Sequence, residues 1–594
     1  MHGTGSFHED EILGKAYDAH LMGRLVKDLL PYKGSLGLSA LLLLSASLLQ
    51  ILQPYVIKLA IDRHIAKGVL SGLGLLALLY LVALAFEHGL RALQFYVTQS
   101  VGQKVMSDLR IRMFAHIQHL PVRYFDRNPV GRIMTRLTSD VENINEMFTS
   151  GLVAVFGDVL MLLSIVTAML LLDWKLSLVT FTVLPPLYVA TEVFRKKARA
   201  SYRLVRTKLA RLNAFLQESL SGLRIIQTFS KETDRLRRFE GINREYTEAG
   251  LQSIFYYAIF YPTVELLSVS AVALLIWYGG GEIVRGALTL GTLVAFIEYV
   301  QRFFAPVKDL SEKYNIMQAA MASSERIFEL LDTPEEPGWT TCGRPVEKFS
   351  GRIEFQGVWF AYHPGDYVLK DISFTIEPGE KVALVGATGA GKTTLVGLLS
   401  RFYEPEKGSI RLDGRDLKEL DLFSLRRQIG LVLQEPFLFA TTIEANIRLR
   451  EEVPRDRAYE AAKVVGAHRF IERLPLRYGE EVLERGALLS MGERQLIALA
   501  RALAGDPDIV ILDEATSSVD PETEYLLQKA VAKVLDGRTA LIIAHRLSTI
   551  HHVDRIFVFH KGELREEGTH QELLQQDGIY ARLYRLQFDG HAMS

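Results

Sequence analysis

The sequence predicts a multidomain protein, in which an all-α domain of six membrane-spanning helices is followed by an α/β domain. The first 310 residues contain long apolar runs, whereas the remainder has the mixed composition of a soluble α/β protein. A chain of 594 residues also exceeds the size of one compact core. We place the membrane domain in residues 1–332, a linker in residues 333–350 and the α/β domain in residues 351–594.

The overall composition excludes several other classes of protein. A net charge of −1 does not indicate a protein that binds nucleic acid. The single cysteine, Cys342, excludes an intrachain disulfide and a cysteine-based zinc site. The N-terminus lacks a charged and then apolar leader that ends in a small-residue cleavage site, so we expect no cleaved signal peptide.

Six apolar runs predict helices that cross a hydrocarbon core of ~30 Å. The first two contain no charged residue over 24 and 18 positions, which is untypical of a buried helix in a soluble protein. Glu265 and Glu298 would cost about 2.5–3.5 kcal/mol each against lipid, so we expect them to face a cavity or a partner. The predicted spans are residues 34–57, 69–86, 151–172, 176–191, 251–281 and 286–307.

The connections between the spans predict their orientation. Those after the second and fourth spans have about sixty residues each and are rich in arginine and lysine, which indicates the cytoplasmic side. Without turn clusters they read as helical hairpins that reach roughly 40 Å. Their tips, at residues 120–132 and 216–232, are best placed to contact a cytoplasmic domain. Residues 21–33 predict an interfacial helix with one apolar face, which consists of Leu21, Leu25, Leu29 and Leu30.

A phosphate-binding loop follows the linker, in the segment "VALVGATGAGKTT". It reads as a strand, a glycine loop and a helix, in which backbone N–H groups can surround phosphates at the helix N-terminus. We expect Lys392 to reach the terminal phosphates and Thr393 to hold Mg²⁺. The candidate nucleotide contacts in this segment are Gly386, Thr388, Gly389, Ala390, Gly391, Lys392, Thr393 and Thr394.

A second apolar strand, "DIVILDE", ends in two carboxylates. We expect Asp513 to bind Mg²⁺, usually through water, and Glu514 to polarise the attacking water. Two solvated acids at a strand end are the weaker interpretation, because the phosphate loop needs such a partner. The sequence therefore predicts ATP and Mg²⁺ as cofactors.

The order of these features resembles an ABC exporter half-transporter of the B type, similar to multidrug and lipid exporters. The resemblance covers nearly the whole chain, and "LSMGERQ" lies where the family has its signature "LSGGQ". It implies that Ser490 and Gly492 of this loop contact nucleotide.

The same resemblance gives roles to four further residues. Tyr362 matches the aromatic residue that stacks on adenine, and Gln434 matches the Q-loop residue that senses Mg²⁺ and faces the membrane domain. Asp520 lies in the D-loop, and His545 matches the switch histidine that contacts the γ-phosphate. With Lys392 and Glu514, His545 completes the expected catalytic set.

The resemblance implies ATP-driven export of a hydrophobic or amphipathic substrate, such as a drug, lipid or peptide, by alternating access. It also implies a bacterial plasma (inner) membrane location, with contact to membrane lipids and a cytoplasmic ATPase domain. An ATP-gated channel or a lipid flippase of the same architecture stays open as an alternative. The membrane half excludes a soluble ABC enzyme that acts on DNA or ribosomes, and importers generally keep these two domains on separate chains.

The signature loop departs from the family pattern at two positions. Met491 replaces a glycine and is expected to crowd the approach of the γ-phosphate, and Glu493 replaces a glutamine and adds a negative charge of unknown direction. Signature loops serve the partner's ATP across the dimer, so the site built on Lys392 and Glu514 stays intact.

We therefore predict a heterodimer rather than a homodimer. Residues 312–332 also resemble the corresponding part of such heterodimeric exporters. The partner is expected to be a second half-transporter with an unaltered LSGGQ-type signature. It is also expected to carry a residue other than glutamate directly after its Walker B aspartate.

Overall fold

The computed structural model describes residues 18–336, 348–450, 452–513, 521–544 and 553–589. Contacts divide the chain into two compact units, and each is considered by itself. The first unit comprises Met1–Ile117 and Val130–Thr333, and the second comprises Gln118–Pro129 and Pro334–Ser594.

The first unit is all-α. Its core holds buried aromatic and aliphatic side chains, among them Phe194, Phe260 and Phe296. Proline lies inside three of the long helices, at Pro54, Pro262 and Pro306. The helices are α1 (Ala19–Leu29), α2 (Lys33–Ala60), α3 (Leu73–Gln118), α5 (Val130–Thr135), α6 (Val141–Glu146), α7 (Val153–Leu172), α8 (Trp174–Phe181), α9 (Leu184–Ser221), α10 (Leu223–Thr228), α11 (Glu232–Val284) and α12 (Leu290–Asp332), while α4 (Val122–Arg127) belongs to the second unit.

Five helical segments of the described chain are long and apolar enough to cross a membrane. The sixth predicted span lies in α12, where Glu298, Gln301 and Arg302 lower the mean hydropathy. The five segments are Ala19–Ile65, Leu73–Gln118, Val130–Leu172, Trp174–Ser221 and Glu232–Val284.

The long hairpins are helical, as predicted, since α3, α9 and α11 continue well beyond the apolar runs. The tips break where proline and glycine predict: Pro121 precedes α4, and Gly222 ends α9.

The segment predicted as an interfacial helix is helical, as α1, but its apolar face is shorter than expected. Met22, Leu25 and Leu29 are buried, whereas Leu30 is exposed. The α-helix ends at Leu29 because a 3₁₀ turn that contains Pro31 follows, and this turn rotates Leu30 away from the buried face.

The second unit is α/β and contains two sheets. A six-stranded sheet has the order β10-β9-β3-β8-β7-β6, in which only β10 runs antiparallel to its neighbour, and a four-stranded antiparallel sheet has the order β2-β1-β4-β5. The strands are β1 (Ile353–Ala361), β2 (Tyr367–Ile376), β3 (Lys381–Gly386), β4 (Lys407–Leu412), β5 (Arg415–Asp416), β6 (Ile429–Val432), β7 (Ile509–Asp513), β8 (Thr539–Ile543), β9 (Arg555–His560) and β10 (Glu563–Gly568).

Helices cover the larger sheet, whose central strands β7 and β8 are buried over their whole length. Strands buried on both faces read as continuous apolar runs, which is why the sequence predicted them well. The helices are α13 (Lys392–Leu399), α14 (Leu422–Arg427), α15 (Ile443–Arg448), α16 (Arg455–Val464), α17 (His468–Ile471), α18 (Met491–Ala504), α19 (Pro521–Leu535), α20 (His570–Gln575) and α21 (Ile579–Asp589).

Candidate nucleotide site

The candidate site lies at the carboxyl edge of the six-stranded sheet. Strands β3, β8, β7 and β6 are adjacent and parallel, so their carboxyl ends meet at one edge. The phosphate loop follows β3, and Asp513 is the last residue of β7. The phosphate loop and Asp513, which are far apart in sequence, are thus brought to one edge.

The phosphate loop depends on glycine at two positions with left-handed backbone, Gly389 (φ +82°) and Gly391 (φ +99°). A Cβ atom on Gly391 would lie 2.5 Å from Cδ2 of Leu369, so a side chain there would require Leu369 to shift as well as a strained backbone. Ala390 is buried, while Thr388 is exposed.

Lys392 is held inside this loop. Its side chain is buried, and Nζ donates to the carbonyl oxygen of Gly386 at 2.6 Å and to that of Ala387 at 3.2 Å. These carbonyls compensate a buried ammonium, which would otherwise be unfavourable. The cation is therefore fixed at the start of α13, where a terminal phosphate is expected.

The N-terminus of α13 has no side-chain cap. The first N–H groups of a helix lack intrahelical partners and carry partial positive charge, so they can bind an anion. Thr393 is exposed and Thr394 is buried, so the two hydroxyls differ in environment.

Of the remaining side chains that the sequence predicts at the nucleotide site, only some belong to the described residues. Asp513 is buried and lies in register with Ile543 of β8, and Gln434 is exposed two residues after β6. Glu514, Asp520 and His545 lie outside the described residues.

Tyr362 borders a cavity of about 490 Å³. Its ring packs edge-on against Tyr403, with centroids 5.3 Å apart, and its hydroxyl lies 3.1 Å from Oγ1 of Thr394. The cavity is lined by Asp126, Tyr362, His363, Asp366, Val368 and Tyr403. An aromatic face beside the phosphate loop is suited to a nucleobase.

The first tip helix, α4, contributes to this cavity. The hydroxyl of Tyr403 donates to Oδ2 of Asp126 at 2.5 Å, and Arg123 donates to the backbone oxygen of Tyr362 at 3.2 Å. Burial, together with the bond to Asp126, raises the pKa of Tyr403 well above its usual value. The tip was expected to contact a cytoplasmic domain, but Tyr403 and Asp126 were not singled out, because nothing local in the sequence connects them.

The signature loop shows a self-contained arrangement. Ser490 caps α18, and its Oγ accepts from the N–H of Glu493 at 3.3 Å. The carboxylate of Glu493 accepts from the backbone N–H of Ser490 at 2.8 Å and from its hydroxyl at 2.9 Å. The capping box shows the direction of the Glu493 side chain, which the sequence left unknown. Its negative charge points back to the start of α18.

The neighbouring positions pack along the same helix. Met491 is half-buried, with its sulfur 3.7 Å from Nη2 of Arg494, while Gly492 is buried. Arg494 also donates to the backbone oxygen of Gly486 at 3.3 Å. Arg501, further along α18, donates to the backbone oxygen of Phe437 at 2.9 Å and connects α18 to the segment after Gln434. Burial lowers the pKa of Arg501 to about 10.

A membrane unit of long apolar helices and a P-loop unit with a signature loop define an ATP-driven membrane transporter. The family described as the ABC transporter transmembrane region matches residues 36–307, and the family described as ABC transporter matches residues 369–517.

Relatives of known sequence and structure agree with this class. The chain is 39% identical over 588 residues to the uncharacterized ABC transporter ATP-binding protein YknV of Bacillus subtilis, with 98% of this chain and 97% of YknV covered. It is 38% identical to the probable multidrug resistance protein YheH of the same organism, with 87% and 77% covered. The structure of a bacterial Atm1-family ABC exporter with ATP bound matches 93% of this chain and 99% of that chain, at 28% identity and a TM-score of 0.77.

The chain belongs to the ABC transporter family, as an exporter-type half-transporter. It is an integral membrane protein with a cytoplasmic ATPase domain, and it couples ATP hydrolysis to transport. Exporters of this kind bind nucleotide and hydrophobic substrates, and they dimerise.

Proposed function

We propose that this chain forms one half of a heterodimeric exporter, which moves hydrophobic or amphipathic molecules out of a bacterial cell across its plasma (inner) membrane. The observation that carries the proposal is the phosphate loop, in which buried Lys392 is held by loop carbonyls beside an uncapped helix N-terminus. The chain supplies one such loop, so a second chain completes the working unit.

ATP binding follows from this arrangement. The adenine stacks on Tyr362, and the phosphates lie on the loop from Gly386 to Thr394, with Lys392 at the terminal phosphates. Thr393, Gln434 and Asp513 provide a hydroxyl, an amide oxygen and a carboxylate. Such hard oxygen donors fit Mg²⁺, which neutralises phosphate charge when it is bound.

Hydrolysis requires a base and a contact to the γ-phosphate. Glu514 directly follows Asp513 in the sequence, and we assign it the polarisation of the attacking water. We assign the γ-phosphate contact to His545, two residues after β8. We assign Asp520 the role of the D-loop residue, by its place in the sequence "SSVD".

The substrate class follows from the membrane unit and from the relatives. Many large apolar side chains of its helices are exposed, which suits lipid and hydrophobic ligands. YheH, named for multidrug resistance, supports a hydrophobic small molecule as the cargo.

The signature loop supports a heterodimer. Across the dimer, Ser490 and Gly492 would face the partner's ATP. The hydroxyl of Ser490 already donates a hydrogen bond to the carboxylate of Glu493. A triphosphate that approaches this helix end meets a like charge and an engaged donor. A partner with an LSGGQ-type signature would leave the site on Lys392 and Glu514 fully competent.

Transport by inverted vesicles tests the function. Vesicles from cells that contain the wild-type chain together with its partner are expected to accumulate a fluorescent amphipathic dye against its gradient when ATP is added, and vesicles with Lys392→Ala are not. Dye movement that stops at equilibrium would indicate an ATP-gated channel instead.

Copurification tests the heterodimer. A tagged chain expressed in its native cell is expected to copurify with a second half-transporter, in which a residue other than glutamate follows the Walker B aspartate. Full ATP-driven transport by this chain alone, as a self-paired assembly, would overturn this part of the proposal.

A further inference from the structure

A group of charged and amide side chains lies within the membrane-spanning part of the first unit. Gln50 precedes Lys58 by eight residues in α2, about 12 Å along the helix. A hydrocarbon core is ~30 Å thick, so Gln50 lies well inside it.

Contacts between α2 and α3 pair further polar residues along these two helices. The hydroxyls of Ser39 and Thr98 lie 2.7 Å apart, Arg91 donates to Gln50 at 2.6 Å, and Gln53 donates to Glu87 at 3.4 Å. The predicted span at residues 69–86 ended just before Glu87. The pairing with α2 extends beyond this predicted boundary, into the charged part of α3.

Three helices are joined by this group, which we call the midmembrane cluster: Gln50, Gln53, Glu87, Arg91, Glu298 and Arg302. The carboxylate of Glu87 is buried and pairs with Arg91. Arg302 of α12 donates to the backbone oxygen of Gln50 at 2.6 Å and to the side chain of Gln53 at 3.0 Å. The buried carboxylate is thus compensated, which keeps it within the membrane at an acceptable cost.

Two charges of the midmembrane cluster remain accessible in this chain. The side chain of Arg91 is 50% exposed, and that of Glu298 is 38% exposed at 3.8 Å from Arg302. His88, adjacent to Glu87, is 69% exposed. Charges exposed to hydrocarbon are strongly unfavourable, so these side chains require water, a polar ligand or another chain beside them.

The charge balance decides which ligand fits. Glu87 and Glu298 oppose Arg91 and Arg302, so the four formal charges sum to zero. A purely anionic group would meet two carboxylates, and a purely cationic group two guanidinium groups. A head group that carries both charges is complementary to a cluster that holds both guanidinium and carboxylate groups.

We propose that the midmembrane cluster binds the head group of a zwitterionic amphiphile, of which a phosphoethanolamine lipid is the simplest probe. This inference rests on the proposed export function, because it assigns the cargo's polar part to a site in the membrane unit. Arg91 receives the phosphate and Glu298 the ammonium, while the apolar chains stay in contact with the apolar helix surface.

Lipid-stimulated ATPase activity tests the charge pairing. The purified assembly in dodecyl maltoside is titrated with dihexanoyl phosphatidylethanolamine and, separately, with dihexanoyl phosphatidylglycerol, which is anionic. Glu298→Gln is expected to raise the half-stimulating concentration of the zwitterionic lipid about tenfold, since a charge-assisted contact is lost. The value for the anionic lipid should not rise.

Glu282→Gln is the matched control, because Glu282 is bonded to Arg285 near the end of α11, away from the midmembrane cluster. It should leave both lipid titrations unchanged. Equal responses of wild type and Glu298→Gln to the zwitterionic lipid, or stimulation by the anionic lipid alone, would overturn the head-group assignment.

Cysteine labelling tests what covers the face. In a Cys342→Ser background, His88→Cys in phosphatidylglycerol vesicles is expected to react with a water-soluble maleimide. Added phosphatidylethanolamine should slow the reaction. Absence of labelling would mean that lipid chains or a partner chain cover the face, and labelling that phosphatidylethanolamine leaves unchanged would exclude binding there.

These results are separable from a failure of the export function. If wild-type vesicles accumulate no cargo but lipid still protects residue 88, export fails and head-group binding stands. If export and lipid stimulation persist while Glu298→Gln changes neither titration, the exporter stands and the midmembrane cluster is only structural.

Discussion

Two helix N-termini of the ATPase unit, those of α13 and α18, differ in what satisfies them. At α13 the cap residue is Gly391, which provides no side-chain cap for the backbone N–H groups, and Lys392 lies beside it. At α18 the hydroxyl of Ser490 and the carboxylate of Glu493 satisfy the first turn reciprocally. Both ends carry the positive pole of a helix, yet only the first is left open for an external anion.

The difference shows how one chain can bind phosphate well at its own phosphate loop and poorly at the signature loop that serves its partner's ATP. A glycine cap leaves N–H groups for phosphate, whereas an internal carboxylate competes with phosphate for the same donors. The stability of α18 gains from its capping box, which is worth of order 1 kcal/mol in typical helices. The same bond would lower the affinity of the signature loop for a triphosphate.

Removal of Lys392, at the uncapped N-terminus of α13, is expected to have the largest effect on ATPase activity. Lys392→Ala takes away the buried cation at the terminal phosphates, so ATPase activity should fall to background in a phosphate-release assay. Lys381→Ala, at the first residue of β3, is the matched control and should retain activity. Turnover near wild type in Lys392→Ala would show that the open end does not hold the terminal phosphates.

Glu514→Gln is expected to have the next largest effect. Loss of the general base should slow hydrolysis by ~10² or more while ATP still binds, so the protein should accumulate in a nucleotide-loaded state. Filter binding of labelled ATP and single-turnover hydrolysis measure the two quantities separately. Hydrolysis at the wild-type rate would refute the assignment of Glu514 as the catalytic carboxylate.

Tyr362→Ala should raise the ATP concentration for half-maximal activity about tenfold and change maximal turnover much less. Base stacking on an aromatic ring is worth about 1–3 kcal/mol, and it is similar in the ground and transition states. Tyr362→Phe keeps the ring but loses the contact with Thr394, so it should behave closer to wild type. An unchanged affinity in Tyr362→Ala would make this residue a packing residue.

Glu493→Gln gives the smallest expected effect and the most direct test of the comparison. The amide keeps an acceptor for the N–H of Ser490 but removes the charge, so ATP affinity at the signature loop should rise about fivefold, or roughly 1 kcal/mol. Glu460→Gln removes the same charge from the exposed side of α16 and serves as the control. Equal ATP affinities in Glu493→Gln and wild type would show that the capping box does not compete with phosphate.

The sequence predicted those features that depend on neighbouring residues. The glycine loop, the buried strands and the breaks at Pro121 and Gly222 follow from local backbone preferences, and the structure has them where expected. Such patterns predict neither the direction in which a side chain points nor the pairing of residues that are far apart in sequence. The carboxylate of Glu493 could point to several neighbours.

Distant pairs show the limit most clearly. The bond between Tyr403 and Asp126 joins residues 277 positions apart, and no periodicity encodes it. Glu87 follows an apolar run, and the predicted span therefore ended before it. Hydropathy does not show that Gln53 of α2 donates to Glu87. Pairing across helices decides where a span ends, and it becomes visible only with the fold.

The placement of α4 has a consequence for biosynthesis. Its residues leave the ribosome 277 positions ahead of Tyr403, which at about 5–20 residues per second corresponds to roughly 14–55 s. During that interval α4 cannot yet bond to Tyr403, while the membrane helices are being inserted. The ATPase unit is therefore completed by a segment made long before it, and a shortened chain that starts at residue 351 would be synthesised without that segment.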